Sequence, residues 1–382
     1  MTNVYLDNNA TTCPAPEAVQ AMLEVLRDSF ANPSSVHRMG QLARKAVDDA
    51  RAQVVKLIGC AGGELVFTSG GTESINTAIR GLYRFRKPRP KVIISAVEHS
   101  ATLGACEQLR AEGVQIVEIP VDHDGRLDMA ELERQLDDEV ALVSIMWANN
   151  ETGVVFDVKR IADLCRAAKV PFHCDGTQAV GKMAVDVKQV GMDVMSFAGH
   201  KFHAPKGTGG LYVRRGMRMA YLISGGPQEL TRRGGTENVP GIVGMGVAAD
   251  LAGEHLAEMA AVGRLRDRLE REILDGVAET AVIGSRQDRL PNTTNIGFSR
   301  LEAEAILMLL SERGVCASAG AACSSGSLEP SRVLRAMKID PLLAHGAIRL
   351  SLSRYTTDAE IDAVLRIIPE AIARLRKVLP VG

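Results

Sequence analysis

Continuous aliphatic and β-branched runs alternate with amphipathic stretches along the first part of the chain. The runs at 92–97, 140–146, 170–174, 192–197 and 210–213 are mainly apolar and read as buried strands. Between them, 72–85, 102–112, 129–136 and 158–168 repeat apolar residues at helical spacing, and 41–58 reads as an earlier amphipathic helix. Strands and helices in alternation predict an α/β fold with a mostly parallel sheet covered on both faces.

After Pro240 the pattern changes. The stretch 242–274 reads as one long helix of mixed apolar and charged character, followed by shorter strands at 294–298 and 348–352 and a closing amphipathic helix at 358–378. This predicts a large domain over 15–255 and a smaller α+β domain formed by 1–14 and 256–382.

Composition narrows the function classes. A chain of 382 residues is long enough for more than one core. The formal net charge of -1 offers no footprint for nucleic acid or an anionic membrane. No apolar run approaches the ~20 residues of a membrane span. Residues 1–7 lack the basic and apolar regions of a secretory signal, so a cytoplasmic protein is expected. The 7 cysteines (Cys13, Cys60, Cys106, Cys165, Cys174, Cys316 and Cys323) include no C-x-x-C pair, so neither a zinc ribbon nor a thioredoxin-like motif is supported, and no resident metal is expected. Most cysteines of this kind are small buried hydrophobes.

The reactive side chains follow the ends of the predicted strands. His99 comes after 92–97, Asn149 and Asn150 after 140–146, Asp175 after 170–174, and His200 with Lys201 after 192–197. Ligands of open α/β sheets bind at the carboxyl ends of strands, so these clusters predict one site. Gly70-Gly71-Thr72 leads from a strand end into a helix, where backbone N–H groups and the dipole suit an anion, although the same residues also serve as a plain helix cap. Lys201 has small or apolar neighbours, and desolvation there would free its amine as a nucleophile; most lysines are simply solvated. Asp175 at a buried strand end needs a cationic partner, and a protonated pyridine nitrogen would serve. Alternation sends Cys174 to the opposite face, as a core residue. His99 suits stacking on a flat ring, proton transfer, or a structural role. Arg349 alternates with apolar neighbours and needs an anion, either a substrate carboxylate held bidentately or a structural ion pair. Cys323 lies among glycines, alanines and serines from 317 to 327, which predicts an exposed thiol on a mobile loop. An unperturbed thiol of pKa ~8.5 is only slightly ionised at neutral pH, so some local activation is expected. Cys316 follows an apolar helix and reads as structural.

Together these residues resemble the cysteine desulfurases of pyridoxal-phosphate fold type I, in the class V aminotransferase branch. The resemblance runs from Tyr5-Leu6-Asp7-Asn8-Asn9-Ala10 to Ser353-Arg354-Tyr355. It is carried by Asn32-Pro33-Ser34-Ser35, Gly71-Thr72-Glu73-Ser74, Glu98-His99, Asn149-Asn150-Glu151-Thr152-Gly153, Gly199-His200-Lys201, Arg233-Gly234-Gly235-Thr236-Glu237-Asn238 and the Cys323 segment ending Leu328-Glu329-Pro330. Met146-Trp147-Ala148 and His203-Ala204-Pro205 look more like the nitrogen-fixation type than the housekeeping type.

The resemblance implies a mostly parallel seven-stranded sheet in the large domain and a cofactor, pyridoxal 5'-phosphate, held as a Schiff base on Lys201. It implies that Asp175 pairs the ring nitrogen, Gln178 bonds the ring oxygen, and His99 stacks on the ring. Gly71, Thr72 and His200 would hold the phosphate, joined by Thr236 from the second subunit of a homodimer. Asn150 and Arg349 would orient L-cysteine. The Cys323 thiolate would attack the substrate sulfur, giving alanine and a Cys323 persulfide that passes to an iron–sulfur scaffold, with nitrogenase as the expected destination and a transient contact with the partner's cluster. Two positions depart from the family pattern. Ala198 stands where a phosphate-bonding serine or threonine is usual, which removes one hydrogen bond of ~1.5–3 kcal/mol at most. Ala319-Gly320-Ala321 stands where serines are common.

Two other classes stay open on the residues alone. A different pyridoxal-phosphate reaction, such as transamination or selenocysteine cleavage, would not need Cys323. A non-catalytic sulfur carrier or interaction protein would not need Lys201.

Overall fold

The structure, a computed structural model, describes residues 3–86, 88–319 and 329–378. Its strands in chain order are β1 (Val4–Tyr5), β2 (Leu65–Thr68), β3 (Lys91–Ser95), β4 (Gln115–Ile119), β5 (Val140–Met146), β6 (Phe172–Asp175), β7 (Val194–Ala198), β8 (Gly209–Val213), β9 (Thr280–Val282), β10 (Thr293–Phe298), β11 (Val315–Cys316) and β12 (Ala347–Ser351).

The central sheet has 7 strands in the order β2-β8-β7-β6-β5-β3-β4. Its β7-β6-β5-β3-β4 portion is parallel. Strand β8 is antiparallel to both neighbours, so β2 again points with the rest. This is the expected fold class. Every position of β3, β5, β6 and β7 is buried because helices cover both faces, which explains their mainly apolar character; the polar side chains inside β5, β6 and β7, Ser144, His173 and Ser196, hydrogen-bond one another across the strands. The edge strand β4 is partly exposed and carries Gln115 and Glu118; that polar content hid it from the pattern. The helix Pro16–Asp28 was not among the expected elements, although Val19, Leu23 and Leu26 recur at helical spacing; these three side chains are exposed.

A second core gathers Val4 and Leu6 from the N-terminus with Ile296, Phe298, Leu350 and residues of the helices Met259–Gly276 and Asp358–Val378. There β10 lies between β12 and β9, antiparallel to both, and β1 pairs in parallel with β11. The expected single helix over 242–274 is corrected: the helix Val239–Glu254 ends, a turn spans Leu256–Glu258, and a new helix runs over Met259–Gly276. The first helix sends Ile242, Met245 and Ala249 into the large core, while the second sends Val262, Leu269 and Ile273 into the other. A single straight rod cannot bury its apolar side against two cores at once. The helix Arg332–Ala336 lies late in the chain, yet it packs Val333 and Leu334 on the large core. No described helix is long and apolar enough to cross a membrane.

Candidate active site

The register aligns the strand ends. Met146, Asp175 and Ser196 are neighbours across β5, β6 and β7, so the turns that follow leave the sheet at one level. Those turns, with the ones after β2 and β3, border a cavity of about 540 Å³. Gly71, Thr72, His99, Asn150, Asp175, Gln178, His200, Lys201 and Arg349 all line it. Thr236 is exposed and lies outside the lining. Cys323 lies outside the described residues. Its flanks do not: Ser318 exchanges backbone hydrogen bonds with Arg349, and Glu329, Pro330 and Ser331 line the cavity.

Lys201 sits on a turn immediately after β7. Its Nζ donates to the carbonyls of Asn9 and Ala10, both at 2.7 Å. The N-terminal segment thus closes the site and fixes the amine's position. Arg349 is 1 % exposed, and its guanidinium donates to the Asn150 carbonyl at 3.0 Å and to Asp7 at 2.5 Å. The ion-pair alternative raised for this arginine is therefore realised, with Asp7 as the anion, while the residue still faces the cavity.

His99 caps the helix Ser100–Ala111, its Nδ1 accepting from the Ala101 N–H at 3.1 Å. A neutral ring with Nδ1 engaged in this way carries its proton on Nε2. Burial pushes the His99 pKa down, Asp175 opposes this, and Lys201 adds to it. Burial, with help from Lys201, takes His200 down to about 4, and its Nδ1 lies 3.2 Å from the Thr11 hydroxyl. Asn149 is a structural residue: its side chain accepts from Glu151 and Thr152 N–H groups and donates to the Val97 carbonyl, tying the ends of β3 and β5 together.

Several lining residues had no role assigned from sequence. Glu98 is fully enclosed. It accepts from the Ser95 hydroxyl at 2.6 Å and the Met146 N–H at 2.9 Å, and burial pushes its carboxyl up to about 8. Glu151 is likewise raised by burial. Asn9, Ala10 and Asp7 reach the site from the far end of the chain. The family resemblance begins at these residues but gave them no role, and by pattern they are only a polar run, Asp7-Asn8-Asn9, directly after a short apolar one.

The residues fit a flat, phosphate-bearing cofactor. The helix Gly71–Arg86 opens on the cavity, and Gly70 at φ +153° makes the tight entry that a side chain rarely permits. A Cβ added to Gly71 would meet the Thr177 hydroxyl at 3.4 Å and the Ala198 Cβ at 3.5 Å, so these three residues wall one cup. The Thr177 hydroxyl is buried with no partner among the described residues, which suits an incoming phosphate oxygen. Asp175, 5 % exposed, presents a carboxylate for a protonated ring nitrogen.

The thiols divide by environment. Burial pushes Cys60, Cys106 and Cys165 up to about 12 and Cys174 well above the usual thiol range, so none of these is a nucleophile at neutral pH.

Residues 4–364 match the class-V aminotransferase family. The chain is 51% identical to a cysteine desulfurase of Cereibacter sphaeroides, with 100% of this chain and 99% of the relative aligned. It is 50% identical to the cysteine desulfurase NifS of Azotobacter vinelandii, over 100% of this chain and 95% of that one. Among solved structures, a NifS-like protein superposes with a TM-score of 0.92 at 35% identity, covering 98% of this chain and 100% of the other.

Proposed function

Because the chain belongs to the class-V aminotransferase family and is a pyridoxal-phosphate-dependent cysteine desulfurase, we propose a division of labour among the residues of the cavity. The cofactor, when bound, supplies an electron sink for the substrate's Cα. Lys201 holds it, and its amine serves as the base at Cα once L-cysteine has taken its place. Asp175 keeps the ring nitrogen protonated, and Gln178 donates to the ring oxygen. The Gly71 and Thr72 backbone, the Thr177 hydroxyl and His200 cradle the phosphate. Thr236, exposed in its own subunit, completes the cup of a second copy in a homodimer. Arg349 and Asn150 orient the substrate carboxylate, and His99 covers the ring and moves a proton through Nε2.

Cys323 is the nucleophile. Its sulfur bonds to the substrate sulfur, the carbon–sulfur bond breaks with its electron pair left on Cβ, and that carbon takes up a proton. Alanine leaves and Cys323 keeps the extra sulfur for an iron–sulfur scaffold, in the cytoplasm and in the service of nitrogenase. We take 15–255 as the cofactor-binding unit and 1–14 with 256–382 as the unit carrying Cys323.

The observation that carries this assignment is the placement of Lys201, pinned between two carbonyls in the same cavity as Asp175 and Arg349. The relatives' shared desulfurase name over the full chain sets aside the transaminase and carrier alternatives. Purified protein given L-cysteine and a reductant is expected to release sulfide and alanine in equal amounts. Cys323→Ala should stop this while keeping the cofactor absorbance, and Lys201→Ala should remove that absorbance. Sulfide release by the Cys323→Ala variant would refute the persulfide step.

A further inference from the structure

Lys182 is 5 % exposed and lies on the turn that follows β6. Its amine donates to the Asn9 side-chain oxygen at 3.0 Å and to the Gln178 side-chain oxygen. Among the described residues it has no carboxylate partner. The charged and titratable groups that bear on it are Lys201 and Arg349, with His200 and His203 on the turn after β7. A cavity of about 20 Å³ beside it, also bordered by Lys201, is lined by His203, His255 and Arg354 and by no acid.

Burying an amine among cations is costly, and a methionine would fill the same volume without that cost. Packing therefore does not explain a lysine here. Its hydrogen bonds do. A lysine can only donate to the Gln178 oxygen, so it settles which way that amide faces. With the oxygen engaged, the Gln178 NH2 group donates to the Asn9 carbonyl at 3.0 Å. That same carbonyl accepts from Lys201 at 2.7 Å. One N–H of Gln178 remains for the cavity that the residue lines.

We propose that Lys182 is a positioning residue of the cofactor site: it holds Gln178 so that a donor, and not an acceptor, faces the ring oxygen of a cofactor bound to Lys201. This rests on the cofactor assignment made above. A donor there stabilises the negative charge of that oxygen most when the Lys201–cofactor link has lost its proton, because the link's own N–H then no longer shares the charge, and it thereby lowers the midpoint of the link. Burial and the neighbouring cations hold the Lys182 amine well below the usual lysine range, so it acts here as a hydrogen-bond donor more than as a charge.

The test is a pH titration of the cofactor's absorbance in the holoenzyme without substrate. Lys182→Met is expected to raise the midpoint of the link by about half a pH unit or more. Gln178→Ala should raise it as well, and adding Lys182→Met to Gln178→Ala should shift it little further. An unchanged or lowered midpoint in the Lys182→Met variant would overturn the proposal, as would full additivity in the double variant. Where the methionine variant does not fold, Lys182→Gln, whose shorter side chain cannot hold the same geometry, is read in both backgrounds by the same criteria. Wild-type protein that binds no cofactor, or a Lys201→Ala variant that keeps the link's absorbance, would overturn the cofactor assignment itself and this proposal with it.

Discussion

The Arg349 guanidinium lies 2.5 Å from the Asp7 carboxylate, joining residues that are 342 positions apart. The same arginine is the proposed holder of the substrate carboxylate, so Asp7 competes for part of its donor set. Asp7→Asn keeps an oxygen in place but removes the charge. We expect the variant to bind a non-reactive amino acid such as L-alanine several-fold more tightly, read from the cofactor spectrum. It should also lose about 1–3 kcal/mol of stability, because a buried guanidinium is left less well compensated. Weaker amino-acid binding with unchanged stability would show that Asp7 does not compete for the arginine.

Ala198 forms one wall of the cup beside Gly71 and the partnerless Thr177 hydroxyl. Ala198→Ser places a second hydroxyl there. Cofactor affinity should rise by about tenfold to a hundredfold, the worth of one hydrogen bond to a charged group. Reconstitution of the apoenzyme at graded cofactor concentrations measures it. No gain would place the phosphate away from Ala198.

Glu98 carries a carboxyl raised from 4.5 to about 8 by burial. A raised folded-state pKa means that the folded chain holds its proton longer than the unfolded chain does. The contribution is fully present below pH 4.5, is lost as pH climbs from there, and is gone above about 8. Glu98→Gln removes that proton linkage while keeping the shape. Urea unfolding at pH 5 and pH 8 should therefore show the variant gaining on the wild type at the higher pH, by as much as ~4 kcal/mol. A parallel pH dependence in the two proteins would place the Glu98 proton elsewhere.

How much was legible in the chain follows from how each element is made. Strands β3, β5, β6 and β7 stood out because a strand covered on both faces is mainly apolar, with the few polar residues it carries paired inside. Lys201, Asp175, His99 and His200 stood out because a polar group just past such a strand has one place to go, the rim. Strand β4 did not stand out, since an edge needs only one apolar face. The break at Leu256–Glu258 did not either, because both flanking helices are individually regular and only the separation of two cores demands a turn between them.

By itself, then, the amino-acid order determined the sheet, the rim and the chemistry of the side chains that reach it, since each of these follows from local spacing and burial. Tertiary structure alone decided what holds those side chains: the Asn9 and Ala10 carbonyls under Lys201, Asp7 on Arg349, and Lys182 behind Gln178. Backbone carbonyls are identical at every position, and an ion pair between the two ends of a chain leaves no periodic trace. Such contacts come into being only when the N-terminal segment is laid against both cores.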